Sequence, residues 1–261
     1  MGREFDLLRE AERLLKTEPK LIELPGEGEG VVFVGDTHGD LEASERVISK
    51  YLKPGMKVIF LGDYVDRGPA SRENILFLLE QKLSHPKDLI LLMGNHEGWG
   101  ITPFSPADFW LELEPEEERL YAKTLAELPL AVTTPNRVIA LHGALPEVPR
   151  LEEVDEIELG SEQWRAITWG DWADFPGGSL GDHWGRPRFG RGYFEKLMTR
   201  FGKNLLIRSH QPDAPEELFE GRCLTIFTSS AYSGLRTTRS VAVTPLAREI
   251  RSAEEIEIET I

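Results

Sequence analysis

Three short apolar runs in this chain each stop at a glycine and pass straight into a polar cluster. Val31–Val34 leads into GDTHG, Val58–Leu61 into GDYVDRG, and Leu89–Met93 into GNHE. Between them lie Leu41–Leu52 and Ser71–Leu83, which carry apolar residues at helical spacing, the second capped by Ser71. Strand, helix, strand, helix, strand with loops this short predicts right-handed βαβ crossovers and a parallel sheet. Parallel strands end on a shared edge, and that edge is where open α/β sheets bind ligands. The three clusters therefore converge, although they are far apart in sequence. A turn needs glycine or aspartate, but not Asp63, Asp66 and Arg67 within five positions. That concentration of charge at a sheet mouth points to a bound partner.

The rest of the chain adds helices and strands without a linker or an internal repeat. Phe5, Leu8, Ala11, Leu14 and Leu15 predict an amphipathic helix over residues 4–17. Residues 106–128 are acidic and predict two helices divided at Pro115. Residues 145–160 read as a loop, Gly190–Phe201 as a helix, and Val138–Leu141, Leu205–Ile207, Leu224–Phe227 and Val241–Val243 as strands. The closing EEIEIETI alternates polar and apolar residues, so residues 250–261 read as an edge strand or a frayed tail. The expectation is one α/β domain over residues 1–261, richer in strands in its second half. A hydrophobic content of 40% supports a substantial core.

A net charge of -15 argues against a broad nucleic-acid footprint, which needs a basic face. It does not exclude a small phosphorylated ligand, because a local positive site can sit inside an acidic protein. The single cysteine, Cys223, rules out an intramolecular disulfide and a thiolate zinc cluster, and reads as a small core residue. The N-terminus has no continuous apolar segment, and no run approaches the roughly 20 residues of a membrane span. A cytoplasmic protein with no membrane partner is expected.

Two further strands end in histidines, HGA at His142 and RSH at His210. Asp36, His38, Asp63, Asn95, His142 and His210 then offer oxygen and nitrogen donors without sulfur, a set suited to Mn, Fe or Zn. A carboxylate has two oxygens and can bridge two ions, and two divalent ions about 3.5–4 Å apart activate water against phosphorus. Four of the six histidines lie in these motifs; His85 and His183 read as surface residues. Glu97 reads as loop support. The stretch TWGDWADF reads as packing under a long loop, with an aromatic rim to the site as the alternative.

GDTHG, GDYVDRG and GNHE, in that order, resemble the leading motifs of the phosphoprotein phosphatase family of metallophosphoesterases. HGA resembles that family's HGG, and TIFTSSAYSG resembles its segment carrying a substrate-facing tyrosine; the likeness runs from about residue 31 to residue 245. It implies a β-sandwich flanked by helices, with a dinuclear metal site at the strand carboxyl ends. It implies that Asp36, His38 and Asp63 bind one ion, and that Asp63, Asn95, His142 and His210 bind the other, with Asp63 bridging. Mn is the first choice for both ions. His96 resembles the proton donor to the leaving group and Asp66 its pairing carboxylate. Arg67 resembles a phosphate-binding arginine, and Tyr232 matches the family tyrosine. The second arginine falls in GDHWGRPRFG, where the spacing is shorter than in the family; Arg186 is the choice and Arg188 the alternative. Asp171 resembles a loop aspartate with a structural role. The implied activity is metal-dependent hydrolysis of phosphomonoesters by a two-metal-activated hydroxide, with a serine/threonine protein phosphatase as the first choice and phosphorylated proteins or small phosphoesters as substrates. The chain lacks the long terminal extensions that recruit regulatory partners, so no regulatory subunit is expected. Two other functions share features with this set. One is symmetrical dinucleoside-polyphosphate hydrolysis, where the third motif tends to read GNHD rather than the GNHE found here. The other is a non-catalytic metal-binding module that recognises phosphorylated partners.

Overall fold

The computed structural model describes residues 2–232, 234 and 238–261. In chain order the elements are α1 (Gly2–Leu15), β1 (Leu21–Glu23), β2 (Gly30–Val34), α2 (Leu41–Tyr51), β3 (Met56–Phe60), α3 (Ser71–Ser84) and β4 (Leu89–Leu91). There follow α4 (Asp108–Leu111), α5 (Pro115–Leu125), β5 (Ala131–Thr133), β6 (Val138–Leu141), α6 (Glu162–Trp169), β7 (Asp171–Trp172), β8 (Ser179–His183) and β9 (Arg186–Phe189). The chain closes with α7 (Arg191–Phe201), β10 (Leu205–Arg208), β11 (Glu217–Leu218), β12 (Cys223–Thr225), β13 (Ser240–Pro245) and β14 (Glu257–Thr260).

The strands form a six-stranded sheet ordered β1-β5-β6-β10-β12-β11 and a five-stranded sheet ordered β14-β13-β2-β3-β4. A small third sheet is ordered β7-β9-β8. The expected parallel trio is present: Val34 pairs with Phe60 across β2 and β3, and Phe60 with Leu91 across β3 and β4. Antiparallel β13 and β14 extend it.

Strand periodicity explains why two sheets stack. Val31, Phe33, Ile59, Leu61 and Ile90 point one way and pack with Val138, Ala140, Leu205, Ile207 and Leu224 of the other sheet. The alternate residues Val32, Val34, Val58, Phe60, Leu89 and Leu91 point the other way, into the core shared with the helices. Each apolar side chain buried in these layers contributes about 1.5–3 kcal/mol. On the outer layer, Arg72 of α3 donates to Glu4 of α1 and Glu117 of α5, both at 3.0 Å, joining three helices.

Several expectations shift. The first helix ends at Leu15 rather than residue 17, because Thr17 and Glu18 tighten into i→i−3 bonds before Pro19. Ser71 is the first helical residue rather than the cap, and its hydroxyl turns back to Gly68 O. Pro115 opens α5, where its missing N–H costs nothing. Residues 257–260 are an edge strand on β13, not a tail. Helix α6 and the β8–β9 hairpin were not anticipated, nor were the short strands β1, β5, β7 and β11.

Candidate active site

Because β2, β3 and β4 run in register, the residues that follow them leave the sheet at one edge. Parallel β6 and β10 deliver His142 and His210 from the second sheet. A backbone bridge from Asp36 to Phe227 joins the two edges. The approach is close: a Cβ on Gly35 would lie 2.2 Å from Ile226 O, so only glycine fits. Gly62 has φ +111°, and a Cβ there would meet Gly94 N at 2.3 Å.

Five site residues that are not glycine adopt left-handed backbone: His38, Asp63, Asp66, Arg67 and His210, with φ between 42° and 70°. Each is costly for an L-residue, and such strain gathers where surrounding bonds enforce a functional geometry. Glu97 supplies many of those bonds. Its carboxylate accepts from Asp63 N (2.7 Å), Gly94 N (2.9 Å) and Tyr64 N (2.8 Å), tying the second motif to the third. Burial and then the nearby charge of Asp63 push its pKa up to about 7.

The donor atoms converge on Asp63. Its Oδ2 lies 3.3 Å from His142 Nε2, 3.5 Å from His38 Nε2 and 4.0 Å from His96 Nε2. His142 Nε2 also faces Asn95 Oδ1 at 3.2 Å and His210 Nδ1 at 3.1 Å. Backbone carbonyls fix the ring orientations: His38 Nδ1–H donates to Val65 O (2.7 Å) and His142 Nδ1–H to Leu61 O (2.9 Å), leaving each Nε2 turned inward. Asp36 is fully buried; its Oδ2 accepts from the Tyr232 hydroxyl at 2.9 Å, and that hydroxyl lies 2.6 Å from His38 Nε2.

Two groups in this cluster have the donors and proximity to hold a cation, His38–Asp63–His96 and Asp63–His142–His210, with Asp63 common to both. The first contains His96 where the sequence reading had Asp36, which stands 3.7 Å from His38 Nε2. Electrostatics agree with a cation site. Burial, then repulsion from Asp63, raises the pKa of Asp36, so the two carboxylates lack sufficient positive charge between them. Burial holds His38 and His210 well below the usual imidazole range, hence neutral and able to ligate. Burial opposes protonation of His142 too, but Asp63 and Asp36 outweigh it and push its pKa up to about 9. Divalent cations would supply compensating positive charge between these carboxylates.

Beside the cluster opens a cavity of about 470 Å³, lined among others by Asp63, Arg67, Asn95, His96, Arg186, His210 and Tyr232. His96 Nδ1–H donates to Asp66 Oδ2 at 2.5 Å, while Asp66 Oδ1 accepts from Phe109 N at 2.8 Å. Burial disfavours the imidazolium, yet Asp63 and Asp66 outweigh it and raise the pKa of His96. The backbone N–H of Arg67 is held by Asp108, and its guanidinium lies 5.5 Å from the centre of the Tyr232 ring. Arg186 is bound by Asp171 through Nε (2.8 Å) and Nη2 (2.7 Å), which leaves Nη1 for a ligand. Arg188 is not among the lining residues. Asp40, the N-cap of α2, accepts from Ser230 N and from Nε and Nη2 of Arg239, anchoring the loop that carries Tyr232. Ser233 of that segment lies outside the described residues.

The tryptophan stretch divides between both readings. Trp169 lines the cavity, whereas Trp172 is buried among Phe189, Phe194 and Phe219. Sequence reasoning missed Phe104, Arg165 and Trp184, which also line the cavity. The signals were present: Ser161 caps α6 through Trp164 N, and Trp184-Gly185 sits between polar residues as a hairpin turn does.

Residues 30–214 match the family model for calcineurin-like phosphoesterases. A probable serine/threonine-protein phosphatase of Encephalitozoon cuniculi is 29% identical over 272 residues, covering 96% of this chain and 58% of its own length. The serine/threonine-protein phosphatase 4 catalytic subunit of Kluyveromyces lactis is 28% identical over 225 residues, covering 77% of this chain and 70% of its own. A solved protein serine/threonine phosphatase from Saccharomyces cerevisiae, with similarity to human phosphatase PP5, matches with a TM-score of 0.83. That alignment covers 100% of this chain and 89% of the other at 22% identity, a likeness of fold. With most of its length matched by the family model and its motif residues gathered at one sheet edge, the chain belongs to the calcineurin-like phosphoesterase family.

Proposed function

We propose that this chain is a metal-dependent phosphatase acting on phosphoserine and phosphothreonine in proteins. One observation carries the reading: His96, hydrogen-bonded to Asp66, lines a single cavity with Arg67, Arg165 and Arg186 beside the Asp63-centred donor cluster. Asp36, His38, Asp63, Asn95, His142 and His210 would hold two divalent cations, with manganese the first choice for this oxygen–nitrogen set and iron or zinc the alternatives. When bound, the cations supply charge stabilisation at the phosphoryl group and lower the pKa of a water.

The chain's own groups do the rest. Arg67 takes phosphoryl oxygens through a fork-shaped pair of charge-assisted hydrogen bonds, and Arg186 through its remaining Nη1. Asp171 orients Arg186 and occupies two of its nitrogens, so the third is aimed rather than free to wander. His96 donates its Nε2 proton to the departing alkoxide, and Asp66 holds the ring and favours its charged form. Tyr232 braces Asp36 and stacks near Arg67. The two named relatives support the protein-phosphatase reading over dinucleoside-polyphosphate hydrolysis, as does Glu97 with its three backbone contacts. One domain over residues 1–261 and a cytoplasmic location belong to the same reading. No helix among the described residues is long and apolar enough to cross a membrane.

The test is manganese-loaded protein offered a phosphothreonine peptide and diadenosine tetraphosphate side by side. Phosphate release from the peptide at the higher kcat/KM is expected. Preferential cleavage of the dinucleotide would overturn the assignment.

A further inference from the structure

Trp184 stands at the tip of the β8–β9 hairpin, on the wall of the active-site cavity. His183 pairs with Arg186, so Trp184 and Gly185 are the central residues of a two-residue turn. Both have positive φ, 56° and 83°. That is type I′ geometry, whose first position asparagine, aspartate or glycine fills best. A tryptophan there carries a steric penalty that those residues avoid. Burial does not offset it, because Trp184 is 90% exposed.

The turn is nonetheless braced. Gly185 N donates to Asp182 Oδ1 at 2.7 Å, and Arg165 Nη2 donates to Asp182 Oδ2 and to Gly185 O, each at 2.8 Å. Arg165 comes from α6, one turn before Trp169 on the cavity wall. A strained, exposed and braced indole contributes little to folding. Its position at the mouth of the cavity gives it a use toward whatever enters.

We propose that Trp184 is a specificity-determining residue, packing against an apolar side chain next to the phosphorylated residue of a protein substrate. The surroundings select that chemistry. Phe104, Trp169 and Pro106 give the cavity apolar walls, while Arg67 disfavours a basic neighbour; Arg165 and Arg186 are already paired with Asp182 and Asp171. The inference rests on the phosphoprotein-phosphatase reading.

The experiment compares wild type with Trp184→Asn on phosphothreonine peptides carrying Phe, Gly or Arg beside the phosphorylated residue. Free phosphoserine and inhibition by inorganic phosphate serve as controls. Asparagine suits the turn, so the thermal midpoint should hold or rise. Wild type should prefer Phe over Gly roughly five- to tenfold in kcat/KM, the scale of an aromatic contact, and should turn over the Arg peptide slowest. The variant should lose most of that preference while its phosphate inhibition stays the same. A preference that survives in Trp184→Asn, or that wild type never shows, would overturn the role of Trp184 and leave the phosphatase reading standing. Hydrolysis of free phosphoserine with no turnover of any peptide would overturn the phosphoprotein reading itself, and this inference with it.

Discussion

Asp66→Asn isolates the leaving-group step. Asp66 accepts Phe109 N on Oδ1 and the His96 Nδ1 proton on Oδ2. Asparagine can still accept from Phe109 N through its carbonyl, so the loop should stay in place. Its amide then faces His96 Nδ1 as a donor, which strips that nitrogen of its proton and leaves a neutral ring with Nε2–H. The lost charge-assisted bond is worth about 1.5–3 kcal/mol. At 1.36 kcal/mol per unit, that lowers the pKa of His96 by about one to two units. Asp63 cannot replace Asp66, because its charge is shared with the proposed cations. A neutral imidazole is a far weaker acid, so kcat on a phosphothreonine peptide should fall about 10- to 100-fold. An aryl phosphate, whose phenolate departs with little help, should lose no more than about threefold, well short of a full general-acid effect. Both substrates are measured at saturating manganese, with the fold checked by circular dichroism. Equal losses on the two would refute the leaving-group role and place Asp66 in binding or folding instead.

Arg186→Lys should raise the inhibition constant for inorganic phosphate by roughly ten- to a hundredfold, since an ammonium cannot pair with Asp171 and the ligand together; Arg188→Lys should leave it unchanged, and the reverse pattern would assign the clamp to Arg188. Lys82→Ala should cost about 3–5 kcal/mol in urea unfolding, because Lys82 Nζ is buried and donates to Glu18 Oε1 (2.5 Å), Pro86 O (3.0 Å) and Leu89 O (2.8 Å), all left unpaired. A loss below about 1 kcal/mol would mean that water replaces it. Gly62→Ala should destabilise by at least about 2 kcal/mol, through its left-handed backbone and the clash with Gly94 N; a neutral result would show that the loops following β3 and β4 yield more than their packing suggests.

The parts of the fold that were legible were those where local pattern and tertiary role coincide. The runs Val31–Val34 and Val58–Leu61 are rich in β-branched and aromatic residues, buried on both faces and closed by glycine, so β2 and β3 stood out before any packing was known. The buried cluster of candidate donors was legible for the same reason: a rare residue type at a strand end has few structural uses. The second sheet's edge was harder. β1 and β5 have three residues each and pair with one another, so neither carries enough alternation to be read alone. The rim of the cavity is where reading failed. The side chains that line it, Phe104, Arg165 and Trp184, come from loops and from a helix whose buried face packs elsewhere. Their use lies in what they surround, and no periodicity reports that. Spacing favoured Arg186 over Arg188 only narrowly; Arg186 lines the cavity and pairs with Asp171, whereas Arg188 is not among the lining residues.

The central claim is that the buried cluster holds two divalent cations through a shared Asp63. Calorimetric titration of chelator-stripped protein with manganese tests it most directly. Two equivalents per chain are predicted for wild type, with Asp63→Asn losing tight binding at both positions because each group depends on that carboxylate. A single equivalent in wild type, or two retained in Asp63→Asn, would contradict the account.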